Sequence, residues 1–478
     1  MNHTKFYSSL SLLLILNAVI KPIWIFGIDR QVQNITGVAE YGTYFSLLNL
    51  SIVFGFLLDW GLTNFINREL AAKRADLSEQ LGSYLLVKFL FAVIYAIVTV
   101  AVALVSGVRR WDILTGVVIV QFLTFLFVFF RGTVTANQWF TTDAWLSVFD
   151  KTLMIFICSA IILWPSSFGL MTIKKFLVAQ IVSTTVAVFA IIIVLISRGI
   201  VFGRPRLKFF NRTVLFSALP FAITVFLMSV HVRLDGFLLE RIHHNGAHEA
   251  GLYAAAYRLL DVSNTVGYLI ASFFMPFIAR LWSEGKPVQR AIIQTRHLQV
   301  MFAITAVIVT VMLAPWLQKI LYHRDDLYGA RILRWCLPAL VGYALVQVYG
   351  TVMTATGLIV AFCYLNVSVV VVNVIMNIVL IPRYGAFGCC ISALCSQFLL
   401  GIATMTFVHK KLNIVIDRRS LLLYLLNGLL LFGVIASLLK VSVSPWSLLA
   451  GAALITFVFM WATKMISLNK WFDILKKQ

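Results

Sequence analysis

Apolar stretches of about 20 residues, nearly free of charge, recur along the whole chain and are separated by short polar connections. About 20 apolar residues cross the ~30 Å hydrocarbon core as a helix, and the helix satisfies every backbone polar group within the segment. The pattern predicts an all-α polytopic membrane protein with spans near residues 8–28, 41–66, 83–106, 112–136, 145–164, 176–197, 213–238, 250–278, 297–320, 332–354, 359–381, 386–408, 420–439 and 445–466. Lys5 precedes an apolar run through Ile20 without an Ala-x-Ala cleavage site, so the first segment reads as an uncleaved span.

The connections are asymmetric in charge. With the N-terminus inside, the even-numbered connections and both tails carry about 21 of the 39 Lys and Arg, and the odd-numbered ones about 12. The strongest inside markers are Arg204, Arg206, Lys208 and Arg212, then Lys410, Lys411, Arg418 and Arg419. This predicts a multi-pass protein with both termini cytoplasmic, and short outer loops with no room for a catalytic domain.

An internal repeat divides the chain. Gly37, Glu40, Gly42 and Tyr44 before span 2 recur as Gly246, Glu249, Gly251 and Tyr253 before span 8, in the pattern G-x-x-E-x-G-x-Y. Six spans separate the copies, which gives them one membrane orientation, as in parallel repeats. The expected organisation is a bundle at 1–200, a second at 201–412, and extra helices with a tail at 413–478. Pro22 and Pro220 sit in different registers upstream of the two copies and are not equivalent kinks.

Composition narrows the function. Hydrophobic residues make up 61%, charged residues 12%, and mean hydropathy is +0.94, which excludes an ordinary soluble domain. The net charge of +21 follows from topology and not from a nucleic-acid partner. The six cysteines lie in or beside apolar segments without metal-ligand spacing and read as packing residues. His231, His243 and His244 lack zinc-site geometry, and no Walker or Rossmann glycine set is present. No catalytic residue, metal site or cofactor is expected, and coupling to H⁺ or Na⁺ stays open.

Ionisable residues at membrane depth are the functional candidates, because central charge costs roughly 3 kcal/mol on insertion scales. Lys88, Arg131 and Lys151 lie near the inner ends of their spans, where snorkelling is the ordinary explanation. Arg233 and Asp235 fall near the outer end of span 7. Asp59 lies about 27 Å below the start of span 2, near the inner interface. Lys21, about 18 Å into span 1, and Arg258, about 12 Å into span 8, reach neither interface easily. Asp261, one turn beyond Arg258, is placed to pair with it. Span 1, bounded at residue 28, carries no acid at depth. Pro22 and Gly27 should make it bendable, with Pro220 as a further hinge candidate. Trp24, Trp60, Trp111, Trp139, Trp145 and Trp164 near span ends read as interfacial anchors. Tyr41, Tyr44, Tyr253 and Tyr257 are candidates for stacking on sugar.

Glu40-Tyr41-Gly42-Thr43-Tyr44, then Asp59-Trp60-Gly61-Leu62 and Arg68-Glu69, resemble the N-terminal part of the Wzx-type polysaccharide flippases. These belong to the multidrug/oligosaccharidyl-lipid/polysaccharide (MOP) exporter superfamily, and Tyr384-Gly385-Ala386-Phe387-Gly388 is similar to another of its turns. The resemblance implies two six-helix bundles around a central cavity lined by helices 1, 2, 7 and 8, plus two extra helices. It implies transport of an undecaprenyl-pyrophosphate-linked glycan across a bacterial inner membrane by alternating access, alongside polysaccharide polymerase and chain-length machinery. Pyrophosphate needs cationic donors, a role open to Lys21, Arg258 and Arg233. Asp261 and Asp59 are candidates for a coupling or cavity ion pair. The alternatives are a cation-coupled multidrug exporter, a peptidoglycan-precursor flippase of the same superfamily, and a scaffold for glycosyltransferases.

Overall fold

The structure is a computed structural model describing residues 3–60, 77–200, 202–203, 212–323, 325–414, 418–441 and 443–465. Gly61, Leu62, Arg68, Glu69, Arg204, Arg206 and Lys208 lie outside the described residues. Fourteen helices are long and apolar enough to cross a membrane, in agreement with the count from hydropathy, and no strand occurs among the described residues.

The chain separates into two compact units, residues 1–251 and 252–478. Unit 1 holds span 1 (His3–Thr36), span 2 (Val38–Asp59), span 3 (Leu77–Val105), span 4 (Trp111–Ala136), span 5 (Phe140–Leu163), span 6 (Ile173–Ser197) and span 7 (Arg212–Ile242). It also takes the first turn of span 8 (Gly246–Ser283). Span 7 packs along span 2 and so falls within unit 1. Unit 2 continues with span 9 (Gln289–Tyr322), span 10 (Leu327–Ala355), span 11 (Ile359–Tyr384), span 12 (Ala386–Lys411), span 13 (Arg418–Lys440) and span 14 (Pro445–Ala462).

Tight glycine turns set the packing of consecutive spans. A single residue, Gly37 at φ +86°, joins spans 1 and 2, and Gly385 at φ +55° joins spans 11 and 12. Both lie where a side chain would strain the backbone, so neighbouring helices turn back on each other within one residue. Span 2 is the central helix of unit 1 and span 10 of unit 2, each with 72% of its apolar window buried.

In unit 1, Leu81, Phe127, Phe129, Phe130 and Ile191 form the core of spans 3, 4 and 6. In unit 2, Ile292, Tyr349, Val352, Phe362 and Leu400 join spans 9 to 12, while Leu313, Leu431, Ile435 and Leu448 bind spans 13 and 14 onto span 9. Exposed residues such as Ile97, Val105, Ile193 and Leu429 are apolar, as a lipid-facing surface requires.

Two local expectations change. Span 1 does not end near residue 28: its helix runs through a π-helical segment, Ile23–Asp29, and on to Thr36. Pro22 supplies the reason, since its missing N–H breaks the i→i−4 ladder and the following residues adopt the wider register. Lys88 does not snorkel. It is 3% exposed, ion-paired with Asp59, bonded to the Leu58 carbonyl and 5.3 Å from the Phe129 ring centre.

Candidate functional site

Lys21 occupies the last turn of the first α-helical segment of span 1, directly before Pro22, and is half-buried. Arg131 of span 4, Lys151 of span 5 and Asp150 of span 5 lie within its electrostatic reach. Hydrogen bonds hold span 1 against span 5 on this side: Asn17 Nδ2 donates to Ser147 Oγ at 2.7 Å, and the Ser9 and Thr141 hydroxyls lie 2.6 Å apart. The other two cations have acidic partners. Arg131 Nε meets Asp143 Oδ1 at 2.8 Å, and Lys151 Nζ meets Asp150 Oδ2 at 3.1 Å while standing 5.6 Å from the Trp24 ring centre.

Three cations therefore face two carboxylates. Among the described residues no carboxylate pairs with Lys21, so the excess positive charge of this cluster resides on its ammonium. A cation in that position attracts an anion, and the surrounding pairs keep its neighbours fixed.

The extension of span 1 brings an acid into the membrane span that hydropathy boundaries missed. Asp29 is 3% exposed and its Oδ2 accepts a hydrogen bond from Tyr41 Oη at 2.7 Å. Tyr41 and Tyr44 stack edge to face at 5.5 Å, and Gln180 Nε2 donates to Tyr44 Oη at 2.9 Å. Both tyrosine rings are thus committed to packing and to polar partners inside unit 1. A buried carboxyl in a π-helical turn is a recurrent functional arrangement.

At the end of unit 1 where span 3 ends and span 4 begins, Glu40 of the repeat accepts a forked pair of bonds from Arg110, at 2.8 and 2.9 Å. Arg110 also reaches Asp112, which meets Lys174 at 3.4 Å. The carboxylate of Glu40, and then that of Asp112, holds the Arg110 guanidinium above its ordinary value. Arg241 pairs with Glu240 and donates to the Gly107 carbonyl at 3.1 Å. Nearby in span 7, Asp235 is 2% exposed and Arg233 half-buried. Pro220 lies inside the span 7 helix. A Cβ on Gly27 would meet only Ile23, at 3.9 Å.

In unit 2, Arg258 and Asp261 lie one turn apart on span 8 and are both half-buried. Tyr253 and Tyr257 are 1% and 3% exposed, with ring centres 5.5 Å apart. Below them runs a polar seam absent from the charge-based reading: Gln347 Nε2 donates to Asn264 Oδ1 at 2.6 Å, and Gln299 Nε2 to the Gly267 carbonyl at 3.2 Å. A second seam joins spans 11 and 12, where Asn377 donates to Asn373 and Asn373 to Ser396. Its signal in the sequence is the spacing Asn366, Asn373, Asn377, which places three carboxamides on one helical face. No group of three or more metal-ligating residues occurs among the described residues.

Solved structures share this architecture. The lipid II flippase MurJ, in an inward closed conformation, superposes with a TM-score of 0.75 at 14% identity, covering 97% of this chain and 99% of that one. The chain has the fold of a lipid flippase. An inward-facing multidrug resistance MATE family transporter of the MOP superfamily gives 0.61 at 14% identity over 84% of this chain and 94% of its own. A MOP superfamily transporter from Pyrococcus furiosus gives 0.58 at 12% identity, over 85% and 94%. No protein-family profile matches the chain, and no curated protein is detectably similar in sequence. The fold is shared with these transporters and with this flippase.

Proposed function

We propose that the protein is a MOP-superfamily flippase of the Wzx type, moving an undecaprenyl-pyrophosphate-linked oligosaccharide from the cytoplasmic to the outer leaflet of a bacterial inner membrane for surface polysaccharide synthesis. The observation that carries this reading is the excess cation Lys21 inside span 1, beside Arg131 and Lys151. A pyrophosphate brings negative charge into the bilayer and needs a cationic partner there; a cationic drug would be repelled by the same cluster. Lys21 supplies a point charge to the phosphate groups, and Arg233 and, in the other unit, Arg258 are proposed as further, separate phosphate-binding cations.

In this reading the N- and C-termini are cytoplasmic, the two bundles alternate access, and the product feeds a polymerase and chain-length machinery. Asp29 is assigned the coupling proton or cation, with Tyr41 as its donor; Asp59 is ion-paired with Lys88, and Asp261 is kept as a second coupling candidate beside Arg258. The deciding experiment follows undecaprenyl-pyrophosphate-linked glycan across the membrane in a strain lacking the protein. Accumulation in the inner leaflet, relieved by the wild type and not by the Lys21→Gln, Arg258→Gln double variant, is expected. Normal outer-leaflet appearance without the protein overturns the function.

The peptidoglycan-precursor reading is favoured by the shared MurJ fold, because both substrates carry a pyrophosphate-polyprenyl handle. Rescue of a strain depleted of its lipid II flippase distinguishes it: growth would transfer the substrate assignment to lipid II.

A further inference from the structure

Arg296 of span 9 is 4% exposed and lies about 10 Å from the start of its helix. Its partners are neutral: Nη1 donates to Tyr349 Oη at 3.3 Å and Nη2 to Ser420 Oγ at 3.2 Å, while Nε has no hydrogen-bond partner among the described residues. Tyr349 Oη in turn lies 2.9 Å from His409 Nε2. The described acids of unit 2 are engaged elsewhere: Glu284 pairs with Arg280 and Lys286, Asp325 with Lys319, Asp326 caps the helix beginning at Leu327, and Asp261 belongs to span 8 beside Arg258.

A guanidinium buried without a counter-charge is costly, by several kcal/mol per ion in a low-dielectric interior. The rim is mainly of the same sign, its described acid Glu284 being paired with Arg280 and Lys286. Arg290, Lys410, Lys411 and Arg419 are exposed at the end of unit 2 where spans 9 and 13 begin and span 12 ends. Lys410 and Arg419 adjoin His409 and Ser420 in the chain, so the buried cluster lies one layer beneath this basic rim. Basic pockets between transmembrane helices at the interface are suited to anionic lipid head groups.

We propose that this end of unit 2 binds the phosphate group of an anionic phospholipid, with Arg296 and the Ser420 hydroxyl as the inner donors and the exposed cations as the outer ring. The site lies wholly within unit 2 and rests on none of the transport reading.

Native mass spectrometry of the full-length protein, titrated with phosphatidylglycerol and separately with phosphatidylcholine, tests it. Saturable retention of phosphatidylglycerol over phosphatidylcholine is expected, about tenfold weaker in Arg296→Gln. Ser420→Ala, which keeps the guanidinium, should weaken it by about threefold and stands in if Arg296→Gln does not fold. Equal retention of the two lipids, or retention unchanged in the variants, overturns the site. Thermal melting with inorganic phosphate separates the source: stabilisation by free phosphate matching that by phosphatidylglycerol overturns the lipid assignment. A purely structural arginine would lower the melting temperature of Arg296→Gln with no change in lipid preference.

Discussion

Gly42 and Gly251, the same position in the two copies of the repeat, face each other in backbone contact. A Cβ on Gly42 would stand 2.6 Å from Gly251 N and would overlap the Ala247 carbonyl; a Cβ on Gly251 would overlap the Val38 carbonyl and lie 2.6 Å from Val38 Cγ1. Val38 and Ala247 are themselves equivalent positions, so the contact is self-complementary, each copy offering the same surface to the other. Gln33 Nε2 adds a 2.8 Å bond to the Gly251 carbonyl. The shared motif is therefore a crossing of two helix starts, for which only glycine leaves room.

Gly42→Ala should lower stability by about 1–3 kcal/mol, since the obstructing atoms are backbone and cannot rotate away. The double variant Gly42→Ala, Gly251→Ala should cost less than the sum of the single variants, because both act on one contact. Thermal melting of the three purified variants checks this, and strict additivity would speak against a shared crossing.

Lys21→Gln should reduce glycan transport at unchanged membrane abundance, whereas Lys21→Arg, which keeps the charge, should retain most of it. Asp150→Asn leaves Lys151 without its carboxylate and adds a net positive charge beside Lys21. Under the proposed function it should tighten substrate binding and slow release, read as a lower KM together with a lower maximal flux in reconstituted vesicles.

Tyr41→Phe removes the hydroxyl that donates to the buried Asp29 and should cost about 1–3 kcal/mol. Asp29→Asn removes the charge itself. It should cost less stability than Tyr41→Phe while abolishing any dependence of transport on an imposed proton or sodium gradient, measured in vesicles. Gradient-driven transport at the wild-type level in Asp29→Asn would remove this residue from the coupling assignment.

Lys88 and Asp59 form a pair in which the lysine is almost fully enclosed. Lys88→Met alone should cost about 3 kcal/mol by leaving a partly buried carboxylate without its partner, and Lys88→Met with Asp59→Leu should recover most of that loss. Chemical denaturation in detergent of both variants separates a structural pair from a transport pair: the double variant should remain active.

Gly27→Ala should be tolerated. Open space surrounds this position, and alanine in place of glycine favours the helix by about 1 kcal/mol. If Gly27 serves as a hinge of the proposed cycle, the variant will melt at a higher temperature but transport more slowly; an unchanged rate assigns the bend to Pro22 and its π-helical turn.

The sequence by itself determined the fourteen spans and the all-helical class, because the bilayer imposes a length and a polarity on every crossing segment. It also determined the repeat, since glycine at a fixed offset from a helix start is a local requirement of the turn. Lys21, Arg258 and Asp59 were legible as candidates for the same reason: a charge stands out against an apolar run. What only the tertiary structure decided is which charges meet. Lys88 with Asp59 and Arg131 with Asp143 come from different spans, and Arg110 reaches Glu40 from the connection before span 4; pairing between separate segments leaves no periodic mark in either one. Asp29 escaped because a proline-induced register change carried the first helix eight residues beyond its expected end, into a segment whose polar residues read as loop until Tyr41 and Gly251 gave them partners.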